Sequence, residues 1–198
     1  MLLKFIRFSI IAILKTYCEN INIRNIKFDN NKFRSDKINN FIIEAENVIY
    51  NNLYINKIKI LIFNLSIEPA LKKIPLSIKN FNIDIISHLS KKNIEQIIFN
   101  PKWIRFRTLI EDFISSNTNI ISIDLEDNYI YFNYKKNKSF SRLGCHLKIE
   151  ENSLILQKII QKSMISIPLD PIIKIKHLEI NNNSVILELS SKITLEKI

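Results

Sequence analysis

The sequence predicts an α+β domain in which mainly antiparallel strands form a sheet packed against one or two helices. Three observations carry this. From position 38 onward apolar residues recur at alternate positions, the period that puts every second side chain on one face of a sheet. Two adjoining stretches near the middle show helical spacing instead. A chain of 198 residues is the size of one domain with one core.

The first element is a helix over 1–17, MLLKFIRFSIIAILKTY. Its uninterrupted apolar run covers only 9–14, far short of the ~20 residues that cross a bilayer. Nothing after Tyr17 resembles a signal cleavage site. Wound as a helix it spreads Leu3, Phe5, Ile6, Ile10, Ile13, Leu14 and Tyr17 over a wide apolar arc, with Lys4, Arg7 and Lys15 at the margins. That pattern suits a helix lying in a membrane interface, with Leu3, Lys4, Phe5, Arg7, Ile10 and Lys15 as contact residues, and equally a helix packed on its own domain. Residues 1–34 are taken as a basic helical lead and 35–198 as the strand-rich domain.

Strands follow. Ile58, Ile60 and Ile62 alternate with Lys57, Lys59 and Leu61, and similar runs occupy 43–50, 76–85, 120–125, 129–134, 145–149, 172–180 and 185–195. Gly144 is the one glycine, so asparagine, which tolerates the left-handed region, is expected to turn the chain at Asn39-Asn40, Asn51-Asn52, Asp127-Asn128 and Asn181-Asn182-Asn183.

Between the strand groups Ser90 is an expected N-cap, followed by Ile94, Ile97 and Ile98 on one helix side. Asn100-Pro101 restarts the helix, because proline at a first helical position has no N–H to lose. Trp103, Phe106, Leu109, Ile110, Phe113 and Ile114 then recur at helical spacing. Each such side chain gains roughly 1.5–3 kcal/mol on burial, so the sheet must cover this face. The aromatic set admits three readings: core, lining of an acyl-chain groove, or a stacking platform for bases. A shorter helix over 154–161 competes with a strand ending at Leu156.

Composition bounds the partners. The chain holds 44 Ile and 25 Asn against one Gly and five Pro, a drift that suggests an AT-rich genome and hence a plastid, with a reduced bacterium as alternative. Lysine enrichment is partly part of that drift, which weakens the net charge of +10 as an argument for nucleic acid. Lys135, Lys136, Lys138 and Arg142 form a second basic cluster, expected in a loop. Cys18 and Cys145 stand far apart without metal-ligand spacing and read as free thiols.

Chemistry is sought and not found. One glycine excludes the dinucleotide fingerprint and the phosphate loop, and no GxSxG elbow occurs. His88, His146 and His177 stand singly, and Asp124, Glu126 and Asp127 read as a solvated turn. The expectation is a protein that is not an enzyme, with no metal and no cofactor.

Three blocks resemble the LmeA-like family as found in photosynthetic bacteria: SDKINNFIIEAENVIYNNLYINKIKILIFNLSIEP at 35–69, with Val48, Tyr50, Leu53, Ile55 and Ile58 in the family's spacing; IPLSIKNFNIDIISHLSKKNIEQIIFNPKWIRFRTLIEDFI at 74–114; and the closing strands at 167–195. Ser90 is followed by Lys91-Lys92 where the family has an acidic residue, and several family glycines are Asn here. The resemblance implies a long curved sheet wrapped partly around helices, an apolar groove for lipid, and no reaction. On that reading Ile94, Ile97, Ile98, Trp103, Phe106, Ile110 and Phe113 line the groove. The partners are a phospholipid or galactolipid and a membrane surface, peripherally or from solution. No nucleic acid is expected. The alternatives are a basic RNA- or ribosome-associated protein and a subunit holding a partner peptide; the alternative compartment is a bacterial cytoplasm or membrane surface.

Overall fold

The computed structural model describes residues 2–28, 37–68, 77–78, 80–126 and 128–194; for 2–6, 9, 13, 37–39, 65–68, 77, 78, 80, 193 and 194 it describes the backbone alone. In chain order the elements are α1 (Leu2–Tyr17), β1 (Asn20–Phe28), β2 (Lys37–Tyr50), β3 (Leu53–Glu68), β4 (Ser77–Ile78), β5 (Asn80–Ser90), α2 (Lys91–Phe99), a 3-10 turn (Pro101–Trp103), α3 (Ile104–Ile114), β6 (Asn119–Glu126), β7 (Tyr129–Lys136), β8 (Ser139–Glu150), β9 (Ser153–Lys158), β10 (Met164–Ile167), β11 (Lys174–Asn181) and β12 (Ser184–Thr194). The result is sheet-dominated α+β, as the alternation predicts.

The strands form two antiparallel sheets. The larger runs β1-β2-β3-β5-β12-β11 with β4 added to β3, and the smaller is a meander, β10-β9-β8-β7-β6. The chain leaves the large sheet after β5, crosses α2 and α3, completes the meander, and returns so that β12 pairs along β5 with Leu187 opposite Ser87. The N-terminal segment is part of the same construction, because β1 pairs with β2, Ile26 opposite Ile43 and Phe28 opposite Phe41.

Asparagine performs the turning. Among the described residues, Asn51 and Asn52 (φ 48° and 60°) close the β2–β3 hairpin, and Asn137-Lys138 and Glu151-Asn152 close two more with both central residues at positive φ. Two consecutive positive φ values give the primed turn whose twist matches the flanking strands. Asn128 (φ 71°) turns β6 into β7, and the Asn181 Oδ1 accepts from the Asn183 and Ser184 amides to turn β11 into β12. Asn47 (φ 52°) sits where two residues of β2, Asn47 and Val48, face one of β1, Ile21, a bulge that bends and twists the strand.

Several expectations are corrected. Asn39-Asn40 is no turn: both lie inside β2, Asn40 opposite Phe63. Residues 154–161 are not helical, since β9 is paired on both sides, Leu156 facing Leu147 of β8 and Ile165 of β10. A short apolar run fits either structure, and here pairing decides. The strand expected at 76–85 is β5, Asn80–Ser90, with residues 76 and 79 outside the described ones. The basic loop at 135–142 is a hairpin of two residues. Gly144 is no turn glycine: it pairs with Tyr131 in β8, and a Cβ there would lie 2.5 Å from Ile159 Cδ1. The strands β1 and β10 were not foreseen.

The expected N-cap at Ser90 is present. Its hydroxyl accepts from the Asn93 amide, and the Asn93 side chain accepts from the Ser90 amide, so asparagine replaces the usual Glu of a capping box. Asn100 caps the restart through a bond from Lys102 N.

Candidate functional site

The main core forms where α2, α3 and the meander close on β11 and β12, with Ile123 and Cys145 at 0 % exposure and Phe132 at 2 %. Five of the seven residues expected to line a groove, Ile94, Ile98, Phe106, Ile110 and Phe113, lie here. Ile97, Ile98 and Ile110 are buried; Ile94, Phe106 and Phe113 are half-buried against the same cluster. Trp103 is half-buried with its Nε1 lacking a partner among the described residues. The meander covers these helices as a closed core, because its inner face presents Ile120, Phe132, Leu147 and Leu156 to them. Of the three readings of the aromatic set, core is the one its packing matches.

A different apolar surface is only partly covered. Residues directly opposite in an antiparallel pair share a face, which aligns one row across the large sheet as Ile43, Ile60, Ile85, Leu189 and Ile175. A second row is Phe41, Ile62, Ile83 and Ser191, and a third Ala45, Ile58, Ser87, Leu187 and Leu178. At the β2 end these rows are buried, with Phe41, Ile43 and Ala45 at 4 %, 2 % and 2 % exposure. There Ile10, Ile11 and Leu14 of α1 pack on Ile26, Phe41 and Ile43. At the β11 end the meander core buries Ile175. Between these ends Ile58, Ile60, Ile62, Ile83 and Ile85 are half-buried, and among the described residues Ile83 and Ile85 belong to none of the clusters of buried side chains. The sequence had placed these residues in strands without marking them; the signal was an apolar face longer than one helix covers.

The helix α1 is therefore both docked and exposed. Ile10 faces the sheet, whereas Arg7 and Lys15 are exposed and Phe8 and Tyr17 are 70 % and 69 % exposed. Leu3, Lys4 and Phe5 belong to α1, and their side chains lie outside the described residues. Among the described residues no helix is long and apolar enough to cross a membrane.

On the outer face of the meander several titratable groups are tied to each other. Lys91 Nζ donates to Asp124 Oδ1 at 2.7 Å, Asn133 donates to Asp124 Oδ2 at 2.8 Å, and Arg142 lies 2.5 Å from Glu126 and 3.7 Å from Asp124. The Lys91 hydrogen bond, then that of Asn133, holds the Asp124 carboxyl below the usual carboxylate range. Asp124 is thus the centre of an ion-pair network on the outer meander face rather than part of a solvated turn; Asp127 lies outside the described residues. Burial pushes the Cys145 thiol up to about 12, against an opposing field from Lys158. Both cysteines are free thiols. His146 and His177 are exposed and His88 half-buried, and no group of three metal-ligating side chains occurs among the described residues.

That outer face also gathers aromatics and cations. The Arg142 guanidinium lies 3.9 Å from the Tyr131 ring centre, Lys135 Nζ 5.6 Å from that of Phe140, and the Tyr129 and His146 rings are 5.6 Å apart. Phe140 is 75 % exposed. Compared with known proteins, the chain matches no family model, no curated protein and no solved structure.

Proposed function

We propose that the chain is a non-catalytic lipid-binding or lipid-handling domain, peripheral to a membrane, that seats an acyl chain along the half-buried strip of β3 and β5. The supporting observation is the central position of Ile83 and Ile85, apolar, half-buried and outside the buried clusters of the described residues, between two covered ends of one sheet face. Each acyl methylene transferred there gains about 0.8 kcal/mol before the cost of ordering the lipid. Phe8 and Tyr17 enter the interface while Arg7 and Lys15, exposed beside them, each add about 1 kcal/mol at an anionic surface. The mechanism is burial without bond making. The ligand class is phospholipid or galactolipid, and the compartment, on composition alone, is a plastid or an AT-rich bacterium.

Native mass spectrometry with organic extraction tests the reading on the full chain. The expected result is co-purified lipid that is lost in Ile83→Trp and Ile85→Trp, where an indole occupies the strip. Phe8→Asp should keep that lipid and weaken vesicle binding. Undiminished lipid in both Trp variants would remove the strip from consideration, and absence of lipid together with absence of vesicle binding would end the lipid reading.

A second reading is supported by the aromatic and basic outer face of the meander, which suits single-stranded RNA. It ranks below the first because Arg142 is engaged by Glu126 and Asp124, whose charges oppose a phosphate backbone. It requires an affinity for RNA that falls steeply with salt.

A further inference from the structure

The face of the large sheet turned away from the apolar strip carries an open depression of about 730 Å³. Its polar lining includes Asn82, Asp84, Lys174, Lys176, Ser190 and Lys192, and Pro171 and Ile172 form part of its wall. The strands fix this grouping. Ser190 of β12 stands opposite Asp84 of β5 and Lys174 of β11, and Lys192, two residues on, stands opposite Asn82. Lys174 and Lys192 are consequently diagonal neighbours on one face, roughly 7–8 Å apart.

The charges in this depression do not cancel. Three lysines and one aspartate line it, a balance of +2. The aspartate is already taken, since Lys176 Nζ lies 2.6 Å from Asp84 Oδ2. Neither Lys174 nor Lys192 has an ion-pair partner among the described residues. Two like charges on neighbouring strands repel each other, with solvent screening part of the repulsion, and a bound anion relieves both. Neutral donors stand beside them in Asn82 and Ser190.

We propose that this depression binds a doubly charged phosphate monoester, with the Lys174 and Lys192 ammonium groups on its oxygens and Asn82 and Ser190 as neutral donors. The proposal stands apart from the acyl-chain strip, which lies on the other face and uses none of these residues. The phosphate belongs either to a soluble phosphorylated molecule or to the head group of a phosphatidate.

Calorimetric titration of the full chain with inorganic phosphate at fixed ionic strength, and sedimentation with phosphatidylcholine vesicles with and without phosphatidate, test it. Lys174→Gln with Lys192→Gln should weaken binding roughly tenfold or more. Lys27→Gln with Lys102→Gln removes the same net charge from exposed positions elsewhere and should change binding by less than about twofold. Asp84→Asn, which frees Lys176, should strengthen it. Affinity for free phosphate without a gain on phosphatidate vesicles assigns a soluble ligand; binding to phosphatidate vesicles that needs Lys174 and Lys192 assigns a lipid head group. Equal losses in the two double variants, or no binding to either probe, would overturn the proposal.

Discussion

The two ends of this molecule solve the burial problem differently. The meander and its two helices share one closed core in which Ile123, Cys145, Phe132 and Leu156 are at most 2 % exposed. Among the described residues the β1–β5 part of the large sheet relies on α1 and two small clusters, each with three buried residues. A five-stranded sheet under two helices covers its own inner face. A sheet whose strands reach 16 residues has, among the described residues, one 16-residue helix on it, and the middle of that face is half-buried. The first region encloses its apolar side chains, and the second leaves Ile58, Ile60, Ile62, Ile83 and Ile85 half-buried.

Truncation should break this contrast if it is wrong. Phe132→Ala, at 2 % exposure, is expected to cost about 4 kcal/mol in urea unfolding. Ile83→Ala should cost only about 1 kcal/mol, since little of its surroundings collapses or empties. Equal costs would mean that the strip is as enclosed as the core, and the lipid reading would lose its support.

Thiol labelling sharpens the same contrast, because one cysteine lies in each region. Cys145 is fully buried and its thiol is pushed up to about 12, so its reaction requires opening of the meander core. Cys18 is half-buried beside Ile21 and Ile23 at the end of α1, and burial raises its thiol too. At pH 8 Cys18 should react at least about a hundredfold faster than Cys145. Comparable rates, read by mass spectrometry of the labelled chain, would show that the two regions open together.

The sequence made some of this legible and hid the rest for identifiable reasons. Period-two runs mark a strand whatever covers it, so β3, β6, β7 and β12 were readable, and the Ser90 and Asn100-Pro101 signals are local chemistry that fixes a helix start. Ile94, Ile98 and Phe113 were recognisable as a covered helix face, yet the identity of the cover is a long-range property, and a closed core and an open groove have the same helical spacing. The half-buried state of Ile83 and Ile85 belongs to a strand held between β3 and β12, pairings with no local signature. The β1 segment, NINIRNIKF, alternates too, but its charged and amide positions resemble a linker until β2 is beside it. Asp124 looked like turn polarity because Lys91, its partner, is 33 positions away.

That pair gives the smallest expected effect and a defined pH window. Asp124 has its carboxyl lowered by the Lys91 and Asn133 hydrogen bonds, so its contribution is present above the unfolded carboxylate value, ~3.9, and is lost as pH falls through the folded one. Lys91 is raised, chiefly by the bond to Asp124, so its contribution is present below the unfolded lysine value, ~10.4, and is lost as pH rises through the folded one. The coupling therefore operates between about pH 4 and pH 10. Both side chains are partly solvated, at 43 % and 32 % exposure, which keeps the coupling below about 1 kcal/mol. A double-mutant cycle with Asp124→Asn and Lys91→Met should give that coupling at pH 7, less of it in 1 M salt, and nearly none at pH 2. A coupling that persists at pH 2 would mean that packing of the lysine stem, rather than charge, ties the start of α2 to the outer face of the meander.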